Sequence, residues 1–286
     1  MRIAGLSTAE GPRAAIAVGD LLVRADRLGL DADPVSVAML PAVERAGWQA
    51  RAEERAAAGP DGDVVIRLDD ATLCPPVWPV PKVICLALNY TAHAAEGGFT
   101  PPERPVIFLK SPNTLVGHGH DVVARTERTD HEGELAVVIG RRARNLRPDT
   151  WADVVAGYTI CNDLTARDLQ LADIAAGHPW DLSKSIDGYG PLGPWLVTPD
   201  EVPDPQDLDL EVRVDGEVRQ RGNTKQMIFS VADILIRLSA FMTLEPGDVI
   251  ATGTPEGIGP IPDGATVEVR VGDLGVLRNR IVREEA

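Results

Sequence analysis

The sequence predicts an α+β fold in which strands outnumber helices, and three observations carry that prediction. Apolar runs of strand length recur at short intervals, separated by Gly, Pro, Asn and Asp turn signals. These runs do not alternate with helices in a repeating βαβ order. Few segments space their apolar residues at helical period, and with aromatics at 4% the core must be filled by Val, Ile, Leu and Ala.

Taken in order, RIAGLS and RAAIAVGDLLVRA read as short strands joined by a Gly-Pro turn. SVAMLPAVERAGWQARAEERAAAG is helical in composition, with Pro41 near its start and Gly59 after its end. Four prolines between Pro75 and Pro81 then force an extended segment. A boundary near Pro81 gives a small N-terminal α+β domain over 1–80 and a larger one over 81–286. KVICLALNY, PVIFLK, GELAVVIGRRA and VAGYTICND are expected strands; TAHAAEGG is a short helix or loop, and LTARDLQLADIAAG a helix stopped by Gly177. Asp215-Gly216 inside LDLEVRVDGEVRQRGNT is a hairpin signal. SVADILIRLSAFMTL has helical spacing, and GDVIATGTP, ATVEVRVGDLG and VLRNRIV close the chain as strands. The larger region thus holds two clear helices among many strands, without internal repeats or low-complexity tracts.

Composition removes several function classes. A net charge of −15 and a pI near 4.7 oppose binding to phosphate backbones or anionic membranes, though not to an anionic small molecule at a local site. No apolar run approaches the ~18 to 20 residues of a membrane span, and the N-terminus lacks the apolar core of a signal peptide, so a cytoplasmic protein is expected. Cys74, Cys85 and Cys161 are odd in number and widely spaced, which argues against disulfides and zinc–thiolate sites and for inert buried thiols.

Glu132 and Glu134 stand one residue apart at the head of an apolar run, so on a strand they point the same way and repel. A bound cation would remove the repulsion; a half-exposed strand would tolerate it. Asp163, where a strand hands over to a helix, is either a third ligand or a helix cap. Three carboxylates are hard ligands that suit Mg²⁺, Mn²⁺ or Ca²⁺ rather than zinc. His93 and Glu96 lie at i and i+3, as a general base with its orienting carboxylate or as a surface contact. Arg167 and Gln170 repeat that spacing and could hold a substrate carboxylate or form an exposed pair. Lys184 falls in a Gly- and Pro-punctuated loop where a solvated side chain is usual, and Thr254 follows a tight Gly turn that could bind an anion.

The order NYTAHAAE, DHEGELAVVIG, CNDLTARDLQ, LSKSIDGYGPLGPW, GNTKQMIF, TGTPEGIG resembles the fumarylacetoacetate hydrolase superfamily over about residues 80 to 282, on the acylpyruvate hydrolase and oxaloacetate decarboxylase-like side. The resemblance implies a mixed β-roll behind a small N-terminal domain. It implies Glu132, Glu134 and Asp163 as ligands of Mg²⁺, and His93 and Glu96 as the pair on a mobile lid, a segment expected to be loose without ligand and to fold into a short helix when substrate covers the site. It further implies Arg167, Gln170 and Thr254 as substrate-binding residues, Lys184 as a catalytic lysine, and a homodimer. The substrate implied is a small anionic 2-oxo acid or 1,3-dicarbonyl compound, and the family's reactions are C–C hydrolysis, decarboxylation and isomerisation. Gly133 is smaller than the residue expected between the two glutamates.

Overall fold

The computed structural model describes residues 1–283. β1 (Arg2–Thr8), β2 (Gly11–Val18) and β3 (Leu21–Arg24) form an antiparallel meander. Helix α1 (Pro34–Ala38) is capped by Asp33, whose carboxylate accepts from Ser36 N, and α2 (Ala42–Ala56) starts after Pro41. The helical stretch is thus split in two at Pro41, which lacks an N–H and whose ring crowds the preceding turn. Two short strands, β4 (Val65–Arg67) and β5 (Leu73–Cys74), precede the Pro-rich segment.

Beyond it come β6 (Val83–Ala87), α3 (Thr91–Glu96), β7 (Val106–Lys110), β8 (Leu115–Val116), β9 (Asp121–Ala124), β10 (Thr129–His131), β11 (Gly133–Ile139) and β12 (Val155–Asn162). Next, β13 (Thr165–Ala166) takes two residues from the expected helix, because they pair with β10, and α4 (Arg167–Ala176) starts after them. Gly177 ends α4 in the left-handed region, as a glycine C-cap does. A one-turn helix, α5 (Asp181–Lys184), stands where a loop was expected, followed by β14 (Gly190–Val197). In the hairpin of β15 (Asp209–Val214) and β16 (Glu217–Asn223), Asp215 and Gly216 both have positive φ (49° and 80°), as a two-residue hairpin turn requires. Helix α6 (Val231–Phe241) has a capping box between Ser230 and Asp233 and buries Val231, Ile234, Leu235 and Leu238, each large apolar side chain contributing about 1.5–3 kcal/mol. Strands β17 (Val249–Ala251), β18 (Gly259–Pro260), β19 (Thr266–Val271) and β20 (Val276–Arg283) complete the described chain.

These strands form three sheets. The largest runs β4-β3-β2-β1-β14-β12-β11-β17-β6-β7, with β5 on β1 and β8 on β14. Arg2 lies opposite Val197 in the β1–β14 pair, so strands from both sides of the Pro-rich segment share this sheet. A five-stranded sheet, β16-β15-β19-β20-β9, packs on one face of the large one, and a small sheet, β13-β10-β18, sits beside the carboxylate-bearing strand.

β11 lies between β12 and β17, and all seven of its residues are buried. Leu135, Val137 and Ile139 join the core shared with the five-stranded sheet. Ala136 and Val138 face the opposite core, which α1 and α2 help to close with Val35, Val37, Ala52 and Ala56. Gly133 points into the first core, where a Cβ would collide with Val212 and Val269. A side chain larger than glycine has no room there, and Glu134 faces the other way. Among the described residues no helix is long and apolar enough to cross a membrane. Cys85 and Cys161 are buried thiols and Cys74 is half-buried, and all three are free.

Candidate active site

Strand alternation brings Glu134 alongside Glu132, and the turn after β12 adds Asp163, whose N–H donates to Glu132 O at 2.8 Å. One carboxylate oxygen from each of the three lies within 4.8 Å of the others, and all three side chains are buried. Glu132 Oε1 accepts from Thr165 Oγ1 at 3.0 Å and from Arg167 Nη2; its Oε2 accepts from Lys184 Nζ at 2.9 Å. Lys184 Nζ also reaches Asp163 Oδ2 at 2.7 Å, while Lys110 Nζ holds Asp163 Oδ1 at 2.6 Å. Glu134 is held by a backbone group, Gly253 N at 2.8 Å.

The charges divide the carboxylates. Burial would raise Glu132, but Lys184 and Arg167 outweigh it and hold that carboxyl well below its usual value. Glu134 is pushed well above the usual range by burial and by the charges of Asp163 and Glu132. Burial works against the charge on Lys184, yet Asp163 and Glu132 raise its pKa on balance. The cluster fits a hard divalent cation: three convergent oxygen donors are present, and Glu134 is the one that needs positive charge nearby to ionise.

A cavity of about 490 Å³ opens above the cluster, lined by Glu132, Glu134, Arg167, Gln170, Lys184 and Thr254, while Asp163 lies beneath and is not part of the lining. His93 and Glu96 line it from α3, and much of the rest of the lining is apolar, with Leu88, Phe99, Phe108, Leu171, Ile174 and Trp180. Phe108 meets Trp180 edge to face at 6.5 Å, and Lys184 Nζ sits 4.9 Å from the Phe108 ring. Lys184 is therefore a buried member of the cluster, because α5 turns it inward instead of leaving it in a solvated loop.

His93 Nδ1 is 3.3 Å from Glu96 Oε2, and Glu96 also accepts from Gly257 N at 3.1 and 3.3 Å. This segment, expected to be loose until substrate covers the site, is a formed helix over Thr91–Glu96, latched to the 257 loop through Glu96. Arg167 donates from Nη1 to Gln170 Oε1 and from Nε to Asp130 Oδ2 at 2.9 Å, which leaves it two further N–H groups. Thr254 Oγ1 donates to Gly133 O at 2.8 Å and accepts from Gln220 Nε2 at 2.8 Å. To donate to a ligand, that hydroxyl must first leave Gly133.

Sequence reasoning missed Lys110, Asp130 and Gln220. Lys110 closes a strand that alternates buried and exposed residues, and its inward position is the signal that could have found it. Asp130 lies two residues before Glu132 on the small sheet. Gln220 is buried on β16 and also accepts from Gly133 N at 3.1 Å, which gives no local sequence sign.

Residues 82–282 match the family model described as the fumarylacetoacetate (FAA) hydrolase C-terminal region. An uncharacterised protein of Pyrococcus abyssi is 47% identical over 207 residues, covering 72% of this chain and 92% of that protein. The crystal structure of a 5-carboxymethyl-2-hydroxymuconate delta-isomerase from Mycobacterium smegmatis is similar across the whole of both chains, with 34% identity and a TM-score of 0.77. Maleylpyruvate hydrolase from Sphingobium sp. SYK-6 is similar over 99% of this chain and 100% of its own, with 30% identity and a TM-score of 0.79.

Proposed function

The chain belongs to the fumarylacetoacetate hydrolase family, and from that premise we propose that it is a Mg²⁺-dependent hydrolase cleaving a C–C bond of a 2-oxo or 1,3-dicarbonyl carboxylate of the acylpyruvate kind. The observation that carries this reading is the convergence of three buried carboxylates within 4.8 Å at the floor of a cavity whose wall holds a His–Glu pair. Glu132, Glu134 and Asp163 would hold the cation, with Mn²⁺ or Ca²⁺ as alternative occupants. When bound, such a cation polarises a carbonyl oxygen and supplies charge that favours an enolate.

The chain's own groups supply the rest. Arg167 and Gln170 hold the substrate carboxylate through the N–H groups Arg167 keeps free. Thr254 assists once its proton turns from Gly133 O. Lys184 places a permanent positive charge beside the oxygen that becomes negative. Glu96 accepts from His93 Nδ1–H, which leaves Nε2 as the basic nitrogen facing the cavity. His93 takes a proton from water as the oxygen adds to the distal carbonyl. The C–C bonding pair passes to the 2-oxo acid fragment, which is then protonated at carbon, and the other fragment leaves as a carboxylic acid.

A second reading is isomerisation or decarboxylation of a 2-oxo or 2-hydroxymuconate-type acid, and its isomerase form is supported by the full-length similarity to the Mycobacterium smegmatis isomerase. It uses the same cluster and needs no attacking water. Assaying acylpyruvates, oxaloacetate and 2-hydroxymuconate-type dienes, each with and without EDTA, separates the readings. Absence of metal-dependent turnover of any of the three would sink the enzyme reading for these substrates and favour a catalytically silent metal-binding structural subunit. The assembly proposed from the family resemblance is a homodimer, which sedimentation showing only monomer at micromolar concentration would exclude.

A further inference from the structure

Gln220 does not line the cavity, yet a β-bulge aims it at a residue that does. Val212 on β15 lies opposite Gln220 on β16, while the next residue, Arg213, lies opposite Val218, so Arg219 is an extra residue in β16. Such a bulge re-aims the side chains beside it. Gln220 is buried between exposed Arg219 and Arg221, and its amide reaches across to β11 and to the segment after β17.

Four hydrogen bonds fix this amide, and two of them end on backbone groups that have only one role. Gly133 N can only donate, and it meets Gln220 Oε1 at 3.1 Å. Pro255 O can only accept, and it meets Nε2 at 2.8 Å. The amide therefore has one orientation. His131 Nδ1, 3.0 Å from the same Oε1, then carries its ring proton. The second N–H of Nε2 goes to Thr254 Oγ1 at 2.8 Å. Thr254 has a single hydroxyl proton, and Gly133 O, 2.8 Å away, can only accept it. One lone pair of Oγ1 thus receives Gln220, Gly133 O holds the proton, and the second lone pair is uncommitted among the described residues. Thr254 lines the cavity, so what its hydroxyl offers a ligand there is an acceptor.

We infer that Gln220 is a positioning residue that holds the Thr254 hydroxyl in this orientation, so that the site favours a ligand atom bearing a hydrogen against Thr254: the hydroxyl of an enol, a carbonyl hydrate or a 2-hydroxy acid. A carboxylate or carbonyl oxygen is served only after the proton leaves Gly133 O, which costs that contact. The inference rests on the reading of the cavity as a 2-oxo acid site. In that reading an enol and a hydrated carbonyl each carry a hydroxyl hydrogen that the starting carbonyl lacks. The orientation set by Gln220 therefore favours species formed along the reaction over the substrate itself.

The test compares pyruvate with the two enantiomers of lactate, monoanions of the same chain length that differ in a keto oxygen against a hydroxyl. Calorimetry in Mg²⁺ gives the lactate-to-pyruvate affinity ratio, taken for the tighter enantiomer, in the wild type, Thr254→Val, Gln220→Met and the double variant. Thr254→Val should lower the ratio by about 3- to 10-fold, the range of one neutral hydrogen bond, by weakening lactate. Gln220→Met should lower it as well, by freeing the Thr254 proton for the keto oxygen. In the double variant the ratio should equal that of Thr254→Val alone, because Gln220 acts on it only through the hydroxyl. A ratio raised by Thr254→Val would show the hydroxyl to be a donor and overturn the inference. So would a ratio unmoved by Thr254→Val, unmoved by Gln220→Met, or still moved by Gln220→Met once Thr254 is valine. Gln220→Leu replaces Gln220→Met should the latter fail to fold, and Thr254→Val alone decides whether the hydroxyl accepts. Failure of the wild type to bind either acid would remove the 2-oxo acid reading and this inference with it, whereas binding of both with an unmoved ratio removes this inference alone.

Discussion

Lys110 Nζ donates to Asp163 Oδ1 over 2.6 Å, with both side chains closed off from solvent. Lys110 does not line the cavity, so it serves Asp163 as a permanent counter-ion while Lys184 approaches from the cavity side. Replacing Lys110 with Met leaves Asp163 with one cation in place of two. We expect a loss of about 3 kcal/mol, the low end for breaking a buried pair, because Lys184 compensates in part. Urea unfolding with an unchanged m-value checks it, and a variant as stable as the parent would show that the pair contributes nothing.

Glu134 and its neighbours make a sharper pair of outcomes. Glu132→Ala, Glu134→Ala and Asp163→Ala should each abolish activity through lost cation binding. Glu134→Gln keeps an acceptor for Gly253 N while removing a charge that Asp163 and Glu132 disfavour. It should lose Mg²⁺ binding yet match or exceed the stability of the cation-free wild type at pH 8. Mg²⁺ affinity unchanged in Glu134→Gln, measured by calorimetry, would contradict the ligand assignment.

Cation binding should release protons. Burial, Asp163 and Glu132 raise the Glu134 pKa, so the cation must displace a proton and its affinity falls as pH falls. For the cation-free protein the sign is the opposite. The raised Glu134 pKa contributes stability that is complete below the unfolded carboxyl value and lost as pH rises through the folded one. Glu132, held low by Lys184 and Arg167 against the burial that would raise it, contributes stability above the unfolded value that is lost as pH falls. Titrating Mg²⁺ in buffers of different ionisation enthalpy, from about pH 5 to 8, should show proton release that disappears in Glu134→Gln. No release anywhere in that range would show that Glu134 is ionised before the cation arrives.

His93 should separate catalysis from cation binding. A positioned general base contributes about 10²- to 10⁴-fold, so His93→Ala should lower kcat by that factor with Mg²⁺ affinity intact. Wild-type hydrolysis by His93→Ala would make its contact with Glu96 a surface pair and move isomerisation or decarboxylation ahead.

The pieces of this site were legible locally, each with a bland alternative, and the resemblance carried by their order joined them. The period of two in Glu132–Glu134 and the strand-end position of Asp163 are visible in short windows, as are the three-residue spacings of His93–Glu96 and Arg167–Gln170. Lys110 was not legible because its partner lies 53 residues away and only the paired strands bring the two together. Local reading alone put Lys184 in a solvated loop, because the turns around it are Gly- and Pro-rich and hid a helix of four residues; the resemblance pointed to it. In the fold, the hairpin at Asp215-Gly216 and the stop at Gly177 were written in turn chemistry. The pairing of β1 with β14 was not, because edge pairing between distant segments leaves no periodic trace in either.

Gly133 makes the protein's interior a tuning mechanism for its chemistry. The residue between the two glutamates rests against Val212 and Val269, so the spacing of the carboxylates is gauged by the seating of a second sheet on the reverse of the same strand. A search for variants with altered metal preference therefore has a target that never enters the cavity. Trimming Val212 and Val269 together would make room for alanine at 133, and the triple exchange should be tolerated better than Gly133→Ala alone. Screens confined to cavity-lining positions would overlook it.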